Sequence, residues 1–97
     1  MSFEVVNMVF ESSKTRGMSR LILLAIAYHA NHKKWKATGT AEAFPSIGTI
    51  AKRAGVSERC VKDHLLKLRE SGEITWQNRG YHSNLYTIHL PLDPESD

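Results

Sequence analysis

Residues 44–76 read FPSIGTIAKRAGVSERCVKDHLLKLRESGEITW, and the spacing of small, apolar and capping residues here decides the fold. Pro45 followed by Ser46 is a helix-start signal, because a serine hydroxyl can accept from a free backbone N–H of the first turn. Ile47, Ile50, Ala51 and Ala54 then supply one buried face, and Gly55 ends the helix. Ser57 repeats the capping logic, Val61, Leu65 and Leu68 form a second stripe, and Gly72 stops that helix, which spans about 58–71. Two short helices joined by a tight turn need a small residue where they cross, a residue that tolerates the turn, and apolar residues that lock the second helix. Ala51, Gly55 and Val61 meet these demands at a spacing of four and then six, with Ile50, Ala54 and Val56 adding to the inner face.

Downstream, Ile74 and Trp76 alternate with Glu73, Thr75 and Gln77, and Leu85–Leu90 is rich in strand formers. The intervening NRGYHSN predicts a hairpin over 73–90 with a loop near 78–84. Upstream, Phe3, Val6, Val9 and Phe10 favour an amphipathic helix over 3–13, although Val5 and Val6 keep a strand open. SSKTRG at 12–17 breaks that pattern. Leu21, Leu24, Ala25 and Tyr28, widened by Ile22 and Ile26, then predict a central core helix over 18–31. HKKWKATGTAEA at 32–43 lacks either period and reads as a solvated loop with a basic cluster at Lys33, Lys34 and Lys36. The expected fold is mainly α with a small β-hairpin wing (α+β): a winged helix-turn-helix of three to four helices and a two- or three-stranded antiparallel sheet. It forms one domain over 1–90, followed by an acidic flexible tail at 91–97.

Composition narrows the function classes. A chain of 97 residues, 41% hydrophobic, builds one core and leaves no room for a large enclosed active site. The longest apolar run, Leu21–Tyr28, is far short of the roughly 20 residues a membrane span needs, and no export signal is expected at the start, so a cytoplasmic location follows. Cys60 is the only cysteine, which excludes an internal disulfide and agrees with a reducing compartment. The net charge of +3 conceals an asymmetry: the tail holds Asp93, Glu95 and Asp97, so residues 1–90 carry 13 Lys and Arg against 7 acids. That excess suits a polyanionic partner, because cations that neutralise phosphates release condensed counterions.

With Val61, Leu65 and Leu68 inward, Arg59, Asp63 and Lys67 turn outward, with Cys60 and Lys62 on the flanks. Arg59, near the helix start, is the first candidate for a base edge, since arginine bonds bidentately to guanine O6 and N7. Lys62 and Lys67 suit bases or phosphates, while Asp63 suits cytosine N4 or the orientation of a neighbouring arginine. Ser46 and Thr49 open the first helix, where hydroxyls and free N–H groups can hold a phosphate, although simple capping accounts for Ser46 equally well. In the hairpin loop, a projecting Arg79 suits a minor groove or backbone, with Tyr81 packing along a sugar and His82 beside it.

The FPS at 44–46, the IA and AGVS of the turn, the Val61–Leu65–Leu68 spine, the SGEI leading into the wing and the NLYTI return strand resemble the winged-helix domains of phage and plasmid replication proteins and related bacterial transcriptional regulators. LILLAIAYHAN at 21–31 resembles the core helix preceding them, so the resemblance covers about residues 18–90. It implies that the helix after the turn reads DNA and that the hairpin is the wing, with roles for Ser57, Arg59, Lys62 and Asp63 and for Arg79 through Ser83. Two residues depart from the pattern: Tyr28 stands where a polar residue is usual before His29, and Leu66 is a bulky apolar residue facing outward.

The expected function is sequence-specific binding of double-stranded DNA, in transcriptional regulation or replication initiation, alongside the machinery of either process. The alternative is a winged-helix protein-interaction module without DNA binding, which Glu58 and Asp63 on the reading helix favour. No cofactor and no enzymatic activity are expected, because Cys60, the histidines and the carboxylates show no catalytic spacing. His29 and His32 have no third metal ligand near them in sequence. Phe3 and Phe10 on the N-terminal helix offer a homodimer surface.

Overall fold

The computed structural model describes residues 3–80 and 82–89. The chain runs α1 (Phe3–Ser12), α2 (Gly17–Tyr28), α3 (His32–Thr38), β1 (Ala41–Ala43), α4 (Ile47–Ala54), α5 (Glu58–Ser71), β2 (Ile74–Arg79) and β3 (His82–Ile88). The strands form one antiparallel sheet in the order β1-β3-β2. Five helices and a three-stranded sheet with a protruding hairpin make a winged helix-turn-helix, mainly helical as the spacing predicts. The tail at 91–97 lies outside the described residues.

Helix α2 is the centre of the packing, with α1, α4, α5 and β1 all against it. Ile22, Leu23, Ala25, Ile26 and Ala27 are buried around most of its circumference. Of the stripe expected from Leu21, Leu24, Ala25 and Tyr28 and widened by Ile22 and Ile26, Ile22, Ala25 and Ile26 are buried, whereas Leu21 is exposed and Leu24 and Tyr28 are only partly buried. A helix enclosed on several sides has no single face for a periodicity argument to find. On α1 the inward pair is Val5 and Val9, one helical turn apart, whereas Phe3 and Phe10 are 70% and 55% exposed. The apolar face expected there is therefore rotated.

The segment 32–43 is not a loop. Asn31 caps α3 by accepting from the Lys34 N–H through Oδ1 at 3.0 Å, and Thr38 closes its last turn by donating to the Lys34 carbonyl at 2.8 Å. Lys34 pairs with Glu42 of β1 at 2.8 Å. Trp35 Nε1 donates to the Glu4 carboxylate at 3.0 Å, tying α3 to α1 and, ahead of a weaker effect from Lys36, holding that carboxyl below the usual range. Tertiary partners override a weak local pattern here, and the Ala41–Ala43 strand exists because β3 lies beside it, in the register Ala41–Ile88 and Ala43–Tyr86.

The hairpin is tighter than expected. Pairing of β2 with β3 runs from Ile74–Ile88 out to Arg79–His82, so the loop expected at 78–84 shrinks to the link between residues 79 and 82. Asn78 Oδ1 accepts from Gly80 N–H at 2.8 Å, which bends the chain within the stretch the sequence marks as turn-forming. Leu68, Ile74 and Tyr86 are buried together, and the Trp76 ring stands edge-on to Tyr86 with centroids 6.0 Å apart. The Arg69 guanidinium lies 4.4 Å over the Trp76 ring, so the wing is clamped to α5 from outside as well as through the core.

Candidate nucleic-acid interface

The turn between α4 and α5 is built from the residues the spacing singled out. Gly55 takes a left-handed conformation, φ 75°, and its N–H and that of Val56 both return to the Ala51 carbonyl, at 2.8 and 3.0 Å. A side chain at 55 would be strained in that region of backbone space. Ser57 Oγ accepts from Cys60 N–H at 3.1 Å and Ser46 Oγ accepts from Thr49 N–H at 3.0 Å, so both serines are N-caps. Ala51 is 6% exposed at the crossing, and Val61 is fully buried behind it. Ser19 of α2 and His64 Nδ1 of α5, 2.8 Å apart, add a hydrogen bond across the domain.

This packing fixes which face of α5 meets solvent. Arg59, Lys62, Asp63, Leu66 and Lys67 are all exposed and are linked by three- and four-residue spacings (59/62, 59/63, 62/66, 63/66 and 63/67), forming one continuous stripe. None of the three cations on it makes an ion pair with another described residue; the salt bridges present are Lys34–Glu42 and Lys36–Glu4. The three cations have Asp63 between them and the exposed Glu58 and Glu70 at the two ends of the stripe, with Leu66 48% exposed among them. Such a convex helix face matches a B-form major groove about 12 Å wide, in which arginine and lysine find acceptors on guanine and on phosphates.

The remaining predicted residues separate into those brought together and those held elsewhere. Ser46 Oγ lies 2.9 Å from Thr49 Oγ1, so the two hydroxyls form one unit at the start of α4. Arg79 is exposed at the end of β2 but is held by two contacts. Its Nε donates to the Ser83 carbonyl at 2.8 Å, and its guanidinium lies 5.0 Å over the exposed Phe44 ring. Tyr81 and the side chain of His82 lie outside the described residues.

Sequence reasoning missed Lys52 and Arg53. Both are exposed on α4, where with Thr49 they line an open hollow of about 550 Å³. The signal was present, because Thr49, Lys52 and Arg53 stand at i, i+3 and i+4, opposite the Ile50, Ala51 and Ala54 stripe. Arg53 lies 4.3 Å over the Tyr28 ring, and its Nε donates to His29 Nε2 at 3.3 Å. Burial of the His29 ring, and then the charge of Arg53, push its pKa below the ordinary value, which keeps the imidazole neutral and able to accept that bond. Among the described residues, no three His, Cys, Asp or Glu side chains group as metal ligands, and no helix is long and apolar enough to cross a membrane.

Residues 16–74, from the N-cap of α2 to the first residue of β2, match the family model described as a helix-turn-helix domain. Comparison with the curated proteins finds no match.

Proposed function

The chain belongs to the helix-turn-helix domain family, and on that premise we propose that it binds double-stranded DNA sequence-specifically, with α5 in the major groove and the β2–β3 hairpin against the backbone or the adjacent minor groove. It acts as the DNA-reading part of a transcription regulator or of a replication initiator. The observation that carries this reading is the stripe of Arg59, Lys62 and Lys67, exposed and without acidic partners among the described residues, on the second helix of a tightly closed helix pair. Arg59, in the first turn of α5, is the residue best suited to a guanine edge; Lys62 and Lys67 serve phosphates or bases. Ser57 and Ser46 act first as caps, and Thr49 faces the backbone.

Selection of preferred duplexes from a random library tests this. The expected outcome is a consensus containing a guanine whose replacement weakens native binding by about 1–3 kcal/mol and leaves the Arg59→Ala protein indifferent. Equal binding to all duplexes would overturn the sequence-specific reading. The exposure of Leu66 in the middle of the same face favours one second reading, a protein-docking module, which predicts partner binding insensitive to salt and no affinity for duplex DNA.

A further inference from the structure

Arg53 is an exposed arginine whose position is fixed on two sides. The Tyr28 ring lies under its guanidinium plane at 4.3 Å, and His29 Nε2 accepts from its Nε at 3.3 Å. Its terminal nitrogens make no ion pair with a described residue, so their N–H groups remain available in a plane the stack has already set. Stacking and a neutral acceptor restrict the guanidinium without neutralising it, and less rotamer entropy is then lost when an anion binds.

Two further donors share the hollow with Arg53. Lys52 is exposed at its rim. Thr49 Oγ1 already accepts from Ser46 Oγ at 2.9 Å, while Ser46 Oγ accepts from the Thr49 N–H. The Thr49 hydroxyl proton is therefore left without a described acceptor and available to a ligand. An ammonium, a guanidinium and a hydroxyl line one hollow, with no carboxylate among its described lining residues, which is a donor set for a tetrahedral oxyanion.

We propose that Thr49, Lys52 and Arg53 form a phosphodiester-binding site on α4, in which Tyr28 and His29 at the end of α2 are positioning residues that hold the Arg53 guanidinium ready to grip one backbone phosphate. This rests on the DNA reading above and adds to it a contact independent of sequence. Arg53 then contributes to affinity for every duplex, whereas Arg59 contributes to choice among them.

The test is anisotropy titration of a random-sequence duplex across a salt series, with circular dichroism confirming that each variant is folded. Arg53→Ala should weaken binding roughly tenfold and reduce the slope of log affinity against log salt by about one. His29→Ala should weaken it several-fold, whereas His29→Gln, whose amide oxygen can replace the Nε2 acceptor, should restore it; Tyr28→Leu should weaken it as well. If the native chain binds and loses affinity in Arg59→Ala/Lys62→Ala, yet Arg53→Ala keeps both affinity and slope, the α4 site is overturned and the DNA reading stands. If Arg53→Ala weakens binding but His29→Ala and Tyr28→Leu do not, the positioning role is overturned. If the native chain binds no duplex at low salt, the DNA reading fails and this site with it.

Discussion

Glu73 Oε1 accepts a 2.6 Å hydrogen bond from Ser13 Oγ, joining residues 60 positions apart in the chain. Glu73 Oε2 accepts from the Lys14 backbone N–H at 2.7 Å, so one carboxylate, 6% exposed, closes the α1–α2 connection onto the root of the wing. Truncation would leave the Ser13 and Lys14 donors without their acceptor. Hydrogen bonds to charged groups contribute about 1.5–3 kcal/mol, so Glu73→Ala is expected to lower stability by about that much. Urea unfolding checks this through a lower midpoint with an unchanged slope.

Gly72 ends α5 at φ 85°, and a Cβ built there meets nothing within 4 Å. The penalty for Gly72→Ala is therefore conformational, not steric, and is expected to be about 1–2 kcal/mol. Gly72→Asn should lose less, because asparagine tolerates the left-handed region better. Thermal unfolding of both variants gives the order. An alanine variant as stable as the native chain would contradict it.

Stability should fall on both sides of neutrality for two identifiable reasons. Burial, followed by the charge of Arg53, lowers the His29 pKa from 6.5. Below pH 6.5 the unfolded chain thus takes up a proton that the folded chain resists. The stability from a neutral His29 is present above pH 6.5 and is lost as pH falls through the lower folded value. On the alkaline side, burial raises the Tyr86 pKa above 10.0 against an opposing hydrogen bond from Asn84. Its contribution is complete below pH 10 and disappears as pH rises through the folded value. His29→Gln should lessen the acid loss and Tyr86→Phe the alkaline loss, as read from unfolding midpoints across pH.

Much of the reading unit was legible because local chemistry dictates it. Ser46, Gly55, Ser57 and Gly72 mark the helix ends by capping and by left-handed backbone, which depend on near neighbours alone. Val61, Leu65 and Leu68 are buried at the spacing that predicts them. What was not legible depends on distant partners. Helix α3 relies on Glu4 and β1, and β1 relies on β3. The spacing of Phe3, Val6, Val9 and Phe10 marked α1 as amphipathic, but which side is buried is set by its packing on α2, which takes Val5 and Val9. At the candidate site, the exposure of Arg59, Lys62, Asp63 and Lys67 followed from helical geometry. The resting place of Arg79 on Phe44 and the clamp around Arg53 arise where separate elements meet, and no window of sequence contains both sides.

Whether α5 carries a DNA-binding face is decided by titrating random-sequence duplex DNA and following fluorescence anisotropy at two salt concentrations. The native chain is expected to bind with an affinity of order 10⁻⁴ to 10⁻⁶ M, to lose it steeply as salt rises, and to bind more weakly when Arg59→Ala and Lys62→Ala are combined. Absence of binding at low salt, or equal binding by the double variant, would contradict the account.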